Sequence, residues 1–168
     1  MSAIPQLALL AGRIGSALKL APGDMALEIR AALGEATAET TWLPAERRRA
    51  SHENYARHLL YGDPEGRFSI LSIVWDHGQK SPIHGHYCWC AVGVYQGRLI
   101  ETYYRESPAG GLPVLVDRLQ RNAGTLSFDP ASSGIHRIAN DSGALAISLH
   151  VYGIAQEGIA AGVNRILT

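Results

Sequence analysis

From Phe68 onward the sequence is a succession of short segments rich in branched and aromatic residues, separated by turn residues. This pattern limits the fold more than any other feature, because short strands at regular spacing close into a sandwich or a barrel. The strands read as Phe68–Trp75, Cys88–Tyr95, Arg98–Tyr104, Val114–Leu119, Gly124–Phe128, Ile135–Ala139 and Leu145–Tyr152. Gln96-Gly97 reads as a tight hairpin between the second and the third. Ahead of the strands the period is helical: Ile4, Leu7, Leu10, Ile14 and Leu18 recur on one face. Pro22-Gly23 breaks that pattern, and Asp24 is a candidate N-cap for a second helix that runs to about Leu33 and stops at Gly34. A short third helix is expected over Ala45–Tyr55. The 168 residues therefore read as one domain. Residues 1–55 form a mostly helical cap, and residues 66–152 form a β-barrel.

The charge balance excludes several functions. Lys+Arg and Asp+Glu both number 15, which removes bulk electrostatic attraction to nucleic acid or to an acidic membrane. Arg47-Arg48-Arg49 follows Glu46 and reads as a solvated helix face. No apolar run reaches the length of a membrane span. Met1–Leu20 lacks the basic start and the small-residue cleavage site of a secretory signal. Cys88 and Cys90 stand two residues apart on one expected strand, a poor geometry for a disulfide. A cytoplasmic monomer with reduced thiols is the expectation.

His84 and His86 flank one residue, which on a strand puts both side chains on one face. An isolated pair of this kind is usually a surface feature. This pair lies in Gly78-x5-His84-x-His86-x3-Cys90-x6-Gly97, and a second block follows as Gly124-x5-Pro130-x3-Gly134-x-His136-x3-Asn140. The two blocks resemble the two signature motifs of the cupin superfamily. The resemblance implies a cupin-type β-barrel (a jelly roll), inside which the three histidines converge on one metal. Two departures stand out. Cys90 occupies the place where the first motif usually carries a glutamate ligand, and the second motif has one extra residue between Pro130 and Gly134. Three neutral imidazoles leave a divalent metal with open positions for substrate. Imidazole suits zinc, nickel, copper and iron alike, so the spacing gives a metal without its identity.

A narrower likeness supplies iron. Tyr55-Ala-Arg57, Trp75, His84-Gly-His86, Cys90, His136 and Ser148-Leu-His150-Val-Tyr152 resemble the cysteine dioxygenase family in order and approximate spacing, from residue 55 to residue 152. The resemblance implies that His84, His86 and His136 hold Fe(II). It places Arg57 on the substrate carboxylate, with Tyr55 beside it. Tyr152 would present its hydroxyl to the thiolate and dioxygen, oriented by His150 and Ser148. Cys90 falls where some members carry a cysteine that becomes thioether-linked to the tyrosine, so a Cys90–Tyr152 cross-link is expected. The implied reaction joins dioxygen to cysteine to give cysteine sulfinate, with a small thiol and dioxygen as partners.

The residues support these roles without the family. Ser148, His150 and Tyr152 alternate with Ile147, Leu149 and Val151, so the polar three share one strand face. On an open sheet that face would turn to water. Inside a barrel it lines the lumen, where hydroxyls and imidazole must satisfy one another. Arg57 has the planar fork that matches a carboxylate, although alone it would read as an ordinary surface arginine. His52, His58 and His77 read as surface groups, Trp75 as barrel wall near the mouth, and Cys88 as packing. Two other functions fit part of the pattern. One is dioxygenation of another small thiol such as 3-mercaptopropionate, a preference whose bearers typically replace the arginine that Arg57 retains. The other is a metal-dependent isomerase or a ligand-binding module, which would need neither the Ser148-His150-Tyr152 series nor the loss of the motif glutamate.

Overall fold

In the computed structural model, residues 4–108, 110–131 and 134–167 are described; the two ends of the expected 1–168 unit lie outside them. The strands assemble into two antiparallel five-stranded sheets. The first runs in the order β1 (Ala56–Gly62), β2 (Ser69–Trp75), β9 (Ala146–Tyr152), β4 (Cys90–Gln96) and β7 (Leu126–Asp129). The second runs β10 (Asn164–Ile166), β3 (His84–His86), β8 (Ile135–Ala139), β5 (Arg98–Arg105) and β6 (Val114–Asn122). Ile73, Trp75 and Val94 of the first sheet meet Leu99 and Ile138 of the second, so the sheets enclose a common interior.

Two helices, α1 (Pro5–Ala17) and α2 (Pro22–Ala38), cover the outer face of the first sheet. Each begins with proline in its first turn, where the missing N–H is no loss and φ is already helical. Leu10, Ile14, Ile29 and Leu33 pack onto Ile70, Val74, Ile147 and Leu149. Each such side chain contributes about 1.5–3 kcal/mol when fully buried, which makes this layer the main support of the fold. Among the described residues no helix is long and apolar enough to cross a membrane.

Several local expectations change. Helix α2 runs past Gly34 to Ala38, because Gly34 is a packing position: a Cβ there would lie 3.2 Å from Leu126 Cδ1. The residue preceding this helix is Ala21, and Asp24 sits in the first turn, where its charge suits the helix dipole. The expected third helix shrinks to a 3-10 turn over Ala45–Arg48. Arg48 is no solvated face residue, since it donates to the Leu43 carbonyl and to the Tyr95 hydroxyl and covers the Tyr95 ring. The chain then extends into β1, which zips onto β2 from Ala56↔Val74 to Gly62↔Ser69 and lengthens the sheet ahead of residue 66.

Gln96-Gly97 is not a hairpin. β4 and β5 belong to different sheets, and the chain crosses between them at Gly97, whose φ of 77° and close approach to the Leu145 carbonyl both require glycine. The expected strand Cys88–Tyr95 starts at Cys90, because the chain bends at residues 87–89 to pass from β3 into the first sheet. Tyr87 is exposed at that bend, and Trp89 turns back to stack on Phe128. His84, His86 and Cys90 thus reach the interior from two strands in two sheets. The C-terminal part adds a short helix, α3 (Gln156–Gly162), and then β10, which pairs with β3 at Asn164↔His86. Neither was expected.

Candidate metal centre

Strand pairing brings the three histidines together. β3 and β8 run antiparallel with His84 opposite His136, and His86 lies on the same face two residues on. The three side chains are buried, their ring centroids are 4.7–5.1 Å apart, and one ligating atom from each falls within 4.8 Å of the others.

The hydrogen bonds fix which nitrogen faces the centre. His84 Nδ1 lies 3.0 Å from the Pro82 carbonyl, His86 Nδ1 3.3 Å from Asp129 and His136 Nδ1 2.7 Å from Glu101. Carbonyl and carboxylate oxygens only accept, so each ring must carry its proton on Nδ1 and keep the Nε2 lone pair. His136 Nε2 is buried with no hydrogen-bond partner among the described residues. A divalent ion fits that donor set: three imidazoles already in the ligating tautomer, with an orphaned nitrogen that needs an acceptor of its lone pair. Burial pushes His84 down to about 3, with repulsion from His136 adding to it, so it stays neutral at ordinary pH. Burial also lowers His86, although the Asp129 hydrogen bond opposes it.

A second chain of hydrogen bonds runs along β9. The Trp75 indole N–H donates to Ser148 Oγ at 3.0 Å, Ser148 Oγ is 2.8 Å from His150 Nε2, and His150 Nδ1 is 3.2 Å from the Tyr152 hydroxyl. Burial holds His150 well below its ordinary value and Tyr152 well above, so the pair is neutral imidazole and protonated phenol. Burial likewise raises the Cys90 thiol, which sits with Tyr152, Leu71 and Val92 in one apolar cluster. Cys90 and Tyr152 are direct partners across the β4–β9 ladder.

Two spaces flank the histidines. On one side Tyr55, Arg57, His84, His150, Tyr152 and Asn164 border a narrow cleft with room for about one water molecule. Tyr55 stacks on Trp75 at 4.6 Å, as the barrel-wall reading of Trp75 requires. Arg57 is the exposed member, and among the described residues its guanidinium has no hydrogen-bond or ion-pair partner. On the other side a cavity of about 210 Å³ is lined by His86, Cys90, Glu101, Tyr103, Asp129 and His136, with others.

Of the nine residues singled out from the sequence, Tyr55, Arg57, His84, His150 and Tyr152 border the narrow cleft, His86, Cys90 and His136 border the larger cavity, and Ser148 is buried behind His150. His52 and His77 stay exposed, and His58 binds the Arg49 carbonyl instead. Cys88 packs against the buried cluster of Leu71, Cys90, Val92, Tyr152 and Val163. The sequence reading missed Glu101, Asp129, Tyr103, Arg121 and Asn164. A signal existed for Glu101, which shares strand parity with the buried Leu99.

The comparisons agree with this geometry. The family profile described as cysteine dioxygenase type I matches residues 33–161. Cysteine dioxygenase type 1 of Danio rerio is 34% identical over 104 residues, which are 58% of this chain and 50% of that protein. The chain thus spans about half the length of that relative. An uncharacterized conserved protein with a double-stranded β-helix domain from Klebsiella pneumoniae has a TM-score of 0.52 at 16% identity, over 73% of this chain and 92% of that one. A Cupin 2 conserved barrel domain protein from Salinispora arenicola has a TM-score of 0.50 at 19% identity, over 70% and 93%. At such identities these two show the fold alone, the cupin double-stranded β-helix with helices at its N-terminus. The profile match spans the helix-covered sheet, the three histidines and the β9 relay, and the chain belongs to the cysteine dioxygenase type I family of the cupin superfamily.

Proposed function

We propose that the chain is a thiol dioxygenase, with a small thiol and dioxygen as its partners, that converts L-cysteine to cysteine sulfinate at an Fe(II) site held by His84, His86 and His136. Iron bound there would supply the redox chemistry that joins both oxygen atoms to the substrate sulfur, so that no external reductant is needed. The observation that carries this reading is that Arg57, Tyr152 and His84 border one cleft. A group that can hold a carboxylate, a hydroxyl that can donate to a reacting atom and a candidate metal ligand thus face one cleft, which has to widen beyond the room of one water molecule to take a small thiol.

Each residue has a role that its surroundings support. The free guanidinium of Arg57 can take a carboxylate in two parallel hydrogen bonds as substrate closes the mouth of the cleft. Tyr55, stacked on Trp75, braces that mouth. With Trp75 donating into Ser148, the serine proton can go to His150 Nε2, and His150 Nδ1–H then donates to the Tyr152 oxygen. This polarity leaves the tyrosine proton aimed at the substrate. The phenol is a donor and not a base, since burial keeps it protonated.

Oxygen uptake by iron-loaded protein tests the reading, with cysteine, 3-mercaptopropionate and cysteamine compared. Cysteine should be turned over fastest, and cysteamine, which lacks the carboxylate, poorly. Arg57→Ala should raise the KM for cysteine by an amount equivalent to about 1.5–3 kcal/mol, toward the low end because the guanidinium starts in solvent. Equal turnover of cysteine and cysteamine would remove Arg57 from substrate binding. No uptake with any of the thiols would remove the dioxygenase assignment.

A further inference from the structure

The ligand set lacks the anionic side chain that the first cupin motif usually supplies, because Cys90 occupies that position and its thiol is buried and neutral. A carboxylate is nevertheless built into the site one residue behind a ligand. Glu101 on β5 is only 4% exposed, and its two oxygens are divided between two partners. Oε1 accepts from His136 Nδ1 at 2.7 Å, and Oε2 accepts from Arg121 Nε at 2.8 Å. Arg121 also donates to the Tyr103 hydroxyl at 2.9 Å, so the guanidinium is itself held in place. The sheet register explains the reach. β5 pairs with β8 so that Tyr103 opposes His136 and Glu101 opposes Ile138, which makes Glu101 the diagonal neighbour of His136 on the same face.

The supports of the three histidines are unequal. His84 leans on the neutral Pro82 carbonyl, and His86 on Asp129 at a longer 3.3 Å beside the open cavity. His136 alone among the three has a short bond to a carboxylate that is both buried and clamped from its far side. We propose that Glu101 is a positioning residue for His136 and supplies, through its imidazole, the negative charge missing from the ligand set. Sharing the Nδ1 proton with a fixed carboxylate makes Nε2 a stronger donor to a divalent cation and locks the ring in the ligating orientation. The buried, unpartnered His136 Nε2 is the atom that receives this effect. Arg121 holds the carboxylate at that angle. The inference rests on the metal reading of the three histidines and is independent of which thiol is oxidised.

The test uses Co(II) and Zn(II) alone, with binding measured by competition against a chelator and the Co(II) ligand-field bands recorded in parallel. Glu101→Gln keeps the volume and one acceptor but removes the charge. It should bind either metal about 10- to 100-fold more weakly, with displaced Co(II) bands and an unchanged far-ultraviolet spectrum of the apoprotein. Asp129→Asn should show a smaller loss in the same direction. Glu106→Gln, which removes an exposed charge paired with Arg165 at 2.9 Å, should match wild type. If the glutamine variant does not fold, Glu101→Asp takes its place, and its shorter carboxylate should give an intermediate loss. Wild-type affinity and bands in Glu101→Gln, or in Glu101→Asp where it stands in, would overturn the proposal. A wild-type protein that binds neither metal would overturn it together with the metal reading. Metal bound normally but no oxygen uptake with any thiol would overturn the dioxygenase reading alone.

Discussion

The two faces of β9 are equally buried and chemically opposite. Ile147, Leu149 and Val151 face the helices and are 0% exposed, while Ser148, His150 and Tyr152 face the lumen at 0%, 3% and 4%. On the helix side nothing needs a partner beyond contact. On the lumen side burial has consequences for every polar atom, and the Trp75-Ser148-His150-Tyr152 chain answers them in sequence. The same desolvation that stabilises a leucine keeps an imidazole neutral and a phenol protonated. Stability and chemistry are thus separated across one strand, and changes on the two sides should have separable effects.

The largest effect is expected from the lumen side, at the metal. His136→Ala should lose nearly all bound metal, while the apoprotein keeps its fold, because the helix-facing core is untouched. Metal content per chain after reconstitution with Fe(II) or Co(II) measures this. Full occupancy in the variant would mean that the histidine cluster is not the site.

The matching change on the other face is Leu149→Ala. It should lower apoprotein stability by about 2–5 kcal/mol, since a fully buried leucine leaves a cavity that the packed helices cannot fill. Metal bound per folded chain should stay at the wild-type level. Urea unfolding followed by metal titration of the folded fraction tests both statements, and a loss of metal from folded protein would break the separation of the faces.

The third expectation concerns pH. Folding depresses His84 to about 3 and lowers His86 and His150 as well. Below pH 6.5 the unfolded chain therefore binds protons that the folded chain refuses. Their contribution is full above that pH and falls as the solution is acidified, by up to about 1.4 kcal/mol per pH unit for His84, down toward pH 3, with His86 and His150 acting in the same direction. Apoprotein melts should show Tm dropping from pH 6.5 to 5, and the slope should flatten in His84→Phe. A flat wild-type profile over that range would show that the lumen histidines are charged or solvated.

How much of this was legible follows from the range of each interaction along the chain. The two motifs and the alternation in β9 are local patterns, so the grouping of the three histidines, the shared face of Ser148, His150 and Tyr152, and the barrel could be read directly. The change of sheet at Tyr87–Trp89 could not, because alternation continues through those residues and the break depends on where β3 finds β8. β1 was hidden by the charged stretch before it, and its pairing partner β2 lies beyond the Asp63–Arg67 turn. The role of Glu101 depends on β5 lying beside β8 and β6 beside β5, a juxtaposition that no spacing within one strand reports.

The smallest effect is expected where two strands of the first sheet bring lumen residues face to face. Cys90 and Tyr152 are direct cross-strand partners, and such pairs place their Cβ atoms about 4.5–5.5 Å apart. A thioether between the cysteine sulfur and the tyrosine ring is therefore within reach without moving either strand. Its formation removes one hydrogen from each residue, so two electrons and two protons pass to dioxygen, and the chain becomes lighter by two hydrogens. We expect partial linkage that accumulates when iron-loaded protein is incubated with cysteine in air, visible by intact mass and located by peptide mapping. Cys90→Ala should remain unlinked. The link should raise the rate only modestly, because His150 already holds the tyrosine oxygen at 3.2 Å and the phenol has little freedom left to lose. Cys88 lies outside the strand, in the bend before β4, and has no partner in the β4–β9 ladder, so a bridge mapped to Cys88 would contradict that register. An unlinked chain after many turnovers would leave Cys90 as a small apolar lining residue, filling beside the histidines the place where a ligand carboxylate would otherwise reach the metal.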